Sequence, residues 1–250
     1  MSKRGSRVPK KLKNDAIVEA ILEIRFDTTT SLEFLFVRLA EFEPWKQFTQ
    51  SRLPAYSIPD SIRQVDPNFR YQPTFELLEP NGQRSARIGP KVLSYHLRVP
   101  YNGWTAFGRE LRGATDALFI RADELVVKRL GLRYLNALTS NMHRIRGVGD
   151  LDLSVQIGGE PVSDNVNINM TRNLTRNSEC TVRIATPQFV MGSLPPATTV
   201  LADIDIFTPE TFESRNKEEV TMWLESARDA KNIEFFALLT DETITSLEEK

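Results

Sequence analysis

Ile17 to Phe26 reads IVEAILEIRF, and its strict alternation decides the fold. Val18, Ala20, Leu22, Ile24 and Phe26 share one side of a two-residue repeat, while Glu19, Glu23 and Arg25 share the other with Ile17 and Ile21. A segment patterned this way is a half-buried strand, apolar toward a core and charged on its second face. Its nearest counterpart is Leu130 to Leu138, LGLRYLNAL, in which Leu130, Leu132, Tyr134, Asn136 and Leu138 oppose Gly131, Arg133, Leu135 and Ala137. The pattern predicts that these two strands lie in one sheet.

Outward from the first strand, Thr30 and Glu33 have the spacing of a capping box. Leu32, Leu35, Phe36, Leu39 and Phe42 then recur at helical intervals until Pro44. Residues 45–73 carry Pro54, Pro59, Pro67 and Pro73 among scattered aromatics and read as one long irregular connection. Thr74 to Glu79 and Gln83 to Ile88 flank Asn81-Gly82, a pair suited to a two-residue turn with positive φ at both positions. Lys91 to Val99 is a further strand. A helix follows, with Trp104, Phe107, Leu111, Ala114 and Leu118 as its buried stripe.

Residues 14–140 therefore read β-α-β-β-β-α-β, an α+β half with an antiparallel sheet and its helices on one face. The economical topology is a ferredoxin-like split β-α-β with one extra strand, in which the first and last strands are neighbours. After a basic, glycine-containing junction at Met142 to Gly149, residues 150–250 form a second, β-rich half. Its strands are Val166 to Thr171, Cys180 to Thr186 and Thr198 to Phe207. A terminal amphipathic helix starts at Asn216, which can cap with Glu219, and buries Val220, Trp223, Leu224, Ala227 and Ala230. Asn232 to Thr240 is expected to continue it.

The chain has 250 residues, 40% apolar and 26% charged, enough to bury a sizeable core. Its formal charge of -1 gives no overall pull toward nucleic acid or anionic lipid. The charge is uneven, however. Residues 1–13 hold Lys3, Arg4, Arg7, Lys10, Lys11 and Lys13 and no acid, so removing that +6 from -1 leaves -7 on the remainder. This segment reads as a disordered basic tail, either a solubilising extension or a phosphate-contacting arm for nucleic acid. Cys180 is the only cysteine, which excludes an intrachain disulfide and suits a reducing cytoplasm. No stretch approaches the roughly 18 apolar residues of a membrane span, and the N-terminus lacks the apolar core of a signal peptide. A cytoplasmic protein without membrane contact is expected.

IVEAILEIRF near the N-terminus, YNGW ahead of a helix and KRLGLRYLNAL resemble a sporadically distributed, uncharacterised family of bacterial proteins of about this length. The resemblance is strongest around Arg129, Gly131, Leu132, Arg133, Tyr134 and Asn136. It implies a bacterial origin and a single full-length unit, and the patchy distribution implies a place in mobile or defence-related loci, phage defence among them. It assigns no catalytic residue.

Read for chemistry, ADIDIFT (Ala202 to Thr208) puts Asp203 and Asp205 on one strand face, with wording that resembles the metal-binding strand of class III nucleotide cyclases. Ile206 stands where that strand needs a glycine, and no hairpin with a further carboxylate follows. The two aspartates are therefore weak metal candidates beside an ion-paired reading. Glu19, Glu23, Arg25, Arg129 and Arg133 are the ligand-binding candidates, either a polar binding floor or a structural ion-pair ladder in which Glu23 or Glu19 faces Arg133. His96, His143 and Cys180 are too few for a zinc site, and no nucleophile elbow, Walker loop or dinucleotide fingerprint is present, so no cofactor is expected. His96 reads as a satisfied core residue.

Two functions survive. One is a non-catalytic interaction or regulatory protein with a protein partner or a second copy of itself. The other is a binder of phosphate ligands, nucleotides or nucleic acid through Arg25, Arg133 and the tail. Convergence of Arg25, Arg129 and Arg133 on one pocket would favour the second.

Overall fold

The alternation of Ile17–Phe26 becomes β1 (Ile17–Asp27), with Ala20, Leu22, Ile24 and Phe26 buried on one face and Glu19, Ile21, Glu23 and Arg25 partly covered on the other. The computed structural model describes Val8, Pro9 and residues 12–248. Lys3, Arg4, Arg7, Lys10 and Lys11 of the expected disordered tail lie outside the described residues. Its last residues are ordered: Leu12 bridges Glu248, and Lys13 N–H donates to Leu247 O over 2.8 Å.

After β1 come α1 (Leu32–Ala40), β2 (Thr49–Arg52), α2 (Asp60–Val65), α3 (Pro67–Arg70), β3 (Phe75–Leu78), β4 (Arg84–Gly89), β5 (Val92–Arg98), α4 (Trp104–Arg121) and β6 (Val126–Thr139). The remainder is α5 (Ser140–His143), the short pair β7 (Gln156–Ile157) and β8 (Glu160–Pro161), β9 (Asn167–Thr175), β10 (Ser178–Ala185), β11 (Thr198–Phe207), α6 (Lys217–Ala237) and α7 (Asp241–Leu247). The compact units do not follow the division at 140–150. The first comprises Glu19–Leu132 and Phe207–Ser226; the second comprises Val18 and the described residues before it, Arg133–Ile206, and the chain from Ala227 onward. β1, β6 and β11 each change unit along their length.

The first unit is a mixed α and β structure with strand order β2-β3-β4-β5-β1-β6, antiparallel at each pairing from β2 to β1. β1 and β6 are neighbours, as the two alternating stretches predict. Leu22 stands opposite Tyr95 and Ile24 opposite Leu93, and this apolar face carries α1 and α4. α4 buries Phe107, Leu111, Ala114 and Leu118, each large side chain contributing about 1.5–3 kcal/mol on leaving water.

Local details differ from expectation for identifiable reasons. Ser31, not Thr30, is the N-cap of α1. The Thr30 hydroxyl instead donates to Asp123 Oδ2 over 3.0 Å and accepts from Asp123 N–H over 2.8 Å. Residues 45–73 are not wholly irregular, because polar TQSR pairs with β3 as an edge strand and α2 and α3 follow. The turn at Asn81-Gly82 has positive φ only at Gly82, at 74°, and Gly82 N–H donates to Glu79 O over 2.8 Å; the loop is a longer one built on a four-residue turn.

In the second unit the order is β6-β11-β10-β9. Cys180, Val182 and Ile184 of β10 are buried, as are Val200, Leu201, Ala202, Ile204 and Ile206 of β11. α6 begins in the first unit, where Asn216 Oδ1 accepts from Glu218 N–H at 2.8 Å. It stops at Ala237 rather than running on to Thr240, and Thr240 caps α7 through Thr243 N–H. Among the described residues no helix is long and apolar enough to cross a membrane.

Candidate functional site

Because α1 and α4 take one face of the first unit's sheet, the charged positions of β1 fall on the other. Register sets their neighbours: Glu19 lies opposite Arg98, Ile21 opposite His96 and Glu23 opposite Ser94, while β4 places Ser85 opposite His96 and Arg87 opposite Ser94. Four of the five predicted ligand-binding residues, Glu19, Glu23, Arg25 and Arg129, meet on this floor.

The arginines close on the carboxylates. Arg25 Nε donates to Glu23 Oε1 at 2.8 Å, and Arg129 Nη1 donates to the same oxygen at 2.9 Å. Arg87 Nε donates to Glu76 Oε1 at 2.8 Å, and Arg98 Nε lies 3.7 Å from Glu19 Oε1. Aromatic rings back two of the guanidinium groups: Arg25 sits 4.4 Å from the Tyr71 ring centroid and Arg129 4.6 Å from that of Phe207.

At the middle of the floor is a chain of three side chains that sequence reasoning passed over. Ser94 Oγ is 3.0 Å from His96 Nε2, and His96 Nδ1 is 3.1 Å from Glu19 Oε1. Ser94 and His96 are each 7% exposed. Burial pushes the Glu19 carboxyl up, but the hydrogen bond with His96 and the charges of His96, Arg98 and Arg87 outweigh it and hold it below the ordinary carboxylate value. The signal was present in the sequence as Ser-Tyr-His, since residues two apart on a strand share a face, but the register that brings Glu19 alongside is not legible there. Distances and order are those of a nucleophile, a base and an orienting carboxylate. Val92–Arg98 is paired on both sides, with β1 and β4, so its amides are spent in the ladders.

The fifth candidate, Arg133, is elsewhere. It belongs to the second unit and donates through Nε to Asp203 Oδ1 at 2.8 Å and through Nη2 to Asp203 Oδ2, a bidentate pair. The expected pairing of Arg133 with Glu23 or Glu19 is thereby corrected: Glu23 is held by Arg25 and Arg129, and Glu19 by His96 and Arg98. Asp203 is also not open to a cation, since both of its oxygens face the guanidinium. No group of three metal-ligating side chains occurs among the described residues, so Asp203 and Asp205 gain no third ligand.

Two further titratable groups of the second unit are packed rather than presented. Cys180 is buried, and burial, with Glu234 and Asp205 nearby, raises its thiol to about 12, far from a reactive thiolate. Lys231 of α6 is 6% exposed, with its ammonium 4.2 Å from the centroid of the Tyr134 ring. A polar cavity of about 310 Å³ lies between Arg144, Arg146, Asp150, Thr240, Glu242 and Ser246. Its Arg146 is already committed to Asp150. No protein-family model matches the chain, and no curated protein is significantly similar to it.

Proposed function

We propose that this chain is a non-catalytic interaction or regulatory protein of the bacterial cytoplasm whose polar sheet face meets a protein partner. The observation that carries this reading is the closed pairing of the floor. Arg25 and Arg129 converge on one carboxylate oxygen of Glu23, Arg87 is held by Glu76, and Arg98 lies beside Glu19. Such a face offers both signs of charge in fixed positions, with each of these arginines bonded to or beside a carboxylate, which suits a protein surface of mixed sign. The strand order β6-β1-β5-β4 supports a ferredoxin-like split β-α-β with β3 and β2 added at one edge. An accessory role in a mobile or defence-related locus belongs to the same proposal.

The rival reading is binding of phosphate ligands, nucleotides or nucleic acid, and calorimetric titration separates the two. ATP and a short single-stranded oligonucleotide are expected to give no saturable heat with the native chain near physiological salt. Glu23→Gln, which frees both arginines from their carboxylate, is expected to gain weak, salt-sensitive ATP binding. Saturable ATP binding by the native chain that disappears in Arg129→Ala would establish the rival.

A second reading rests on one specific observation, the Ser94–His96–Glu19 chain, and would make the protein a serine hydrolase. With the amides of β5 spent in its two ladders, a fluorophosphonate probe is expected to leave Ser94 unlabelled in intact-mass spectra. Stoichiometric labelling of Ser94 that His96→Ala abolishes would show that the site is catalytic.

A further inference from the structure

β9 is the outermost strand of the second unit. It pairs with β10 along one side, and among the described residues no strand pairs with the other. Its residues are exposed or half-exposed along its whole length. They include no proline and no lysine, the residues that ordinarily keep an edge from pairing. The one charge, Arg172, is turned back onto Glu234 of α6. The outer strand of the first unit, β2, is by contrast four residues long and too short to serve as a template.

The phase of the ladder decides which groups face outward. Just beyond β9, Thr186 N–H donates to Val166 O over 2.9 Å. Bonded pairs alternate along an antiparallel ladder, so Ile184 with Ile168, Val182 with Met170 and Cys180 with Arg172 are bonded in turn. Asn167, Asn169, Thr171 and Asn173 therefore turn their N–H and C=O groups away from β10, and a register shift beside Leu174 ends the regular alternation there.

We infer that this edge is occupied by β9 of a second copy, running antiparallel about a two-fold axis at Thr171. NINMTRNLT is close to self-complementary about that residue. Thr171 meets its own counterpart and Asn169 meets Asn173 as bonded pairs, with Met170 opposite Arg172 between them. Amides meet amides at Asn169 and Asn173, hydroxyl meets hydroxyl at Thr171, and no like charges meet. Thr171 is the middle residue of β9, so this register overlaps the two edges more fully than any other. Moving the axis to Arg172 would oppose two guanidinium groups.

The flanking surface agrees. Met170 is 45% exposed, and the register puts it on the same face as Arg172, the face on which α6 lies. Lys231 sits over Tyr134 of β6 and Glu234 meets Arg172 of β9, so turning round α6 from 231 to 234 moves toward the edge. Ile233, 53% exposed, lies about 100° further round in that direction. A two-fold mate would cover both side chains, and an isologous contact closes on itself without forming a fibre.

Sedimentation of the full chain should show a dimer in the micromolar range. Thr171→Lys, which opposes two ammonium groups at the axis, should weaken the dimer at least tenfold without shifting the melting temperature of the monomer. Thr171→Cys should cross-link across the axis under mild oxidation, whereas Ile157→Cys, also exposed but on β7, should not. A chain that stays monomeric at 100 µM with Thr171→Cys uncross-linked overturns the inference. So does a dimer that tolerates Thr171→Lys, because another face would then hold it.

Discussion

Lys231→Met should make the protein more stable at pH 7, by about 1–3 kcal/mol. The ammonium lies in the second unit, 6% exposed, over the ring of Tyr134. Burial pulls its pKa down to about 8; Asp15 pulls the other way, and Arg228 adds to the depression. Burial also raises the Asp15 carboxyl despite the Ile17 N–H and Lys231, so neither charge is well accommodated.

The sign follows from linkage. The unfolded lysine binds its proton up to its ordinary value near 10.5, while the folded one releases it near 8. Between those values the unfolded state holds more protons, and stability rises with pH across the window. Below pH 8 both states are charged and the whole cost of burying the ammonium is present, about 3 kcal/mol for a displacement of this size. Methionine fills similar space, keeps the ring contact and carries no charge. Urea denaturation at pH 7 and pH 10 checks this. The variant should gain stability at pH 7 and lose the rise above pH 8, and a less stable variant at pH 7 would mean that Asp15 and Tyr134 repay the burial in full.

Arg133→Ala is expected to act in the opposite direction, lowering stability by about 2–4 kcal/mol. The two ends of this pair differ in exposure: the Arg133 side chain is 43% exposed and that of Asp203 only 6%. Deleting the guanidinium costs little in itself, but it leaves a buried carboxylate with neither of its charge-assisted hydrogen bonds. Asp203→Asn in the Arg133→Ala background should restore part of the loss, since it removes the stranded charge. A variant that melts with the native protein at pH 7 would show that the pair is only a surface bridge.

Legibility of the fold tracked how local the cause was. IVEAILEIRF and LGLRYLNAL were readable as neighbouring strands because alternation with one apolar face constrains register strongly. The buried stripe of α4 was readable for the same reason at helical period. TQSR was not readable as β2, because an edge strand exposed on both faces has no apolar signature. The capping box at Thr30 failed for a non-local reason, since Asp123, far along the chain, competes for the same hydroxyl. The candidate site divided similarly. Glu19, Glu23, Arg25 and Arg129 were found because charge on the minority face of a strand is conspicuous. Ser94 was not, because its importance depends on a histidine two residues on and a glutamate that only strand pairing supplies. Arg133 was assigned the wrong carboxylate because β6 has a neighbour on each side and sequence offers acids on both.

The passage of β1, β6 and β11 from one unit to the other sets a timetable for synthesis. A ribosome that has made Leu132 has delivered most of the first unit but not Phe207–Ser226, and the second unit waits for the chain from Ala227 onward, the second half of α6 and α7. At about 5–20 residues per second, the nascent chain spends on the order of 4–15 s between Leu132 and Phe207 with its first unit incomplete. Neither unit can be finished and set aside before the other is under way. Truncating the message anywhere before the last helices therefore yields two unfinished cores rather than one sound half.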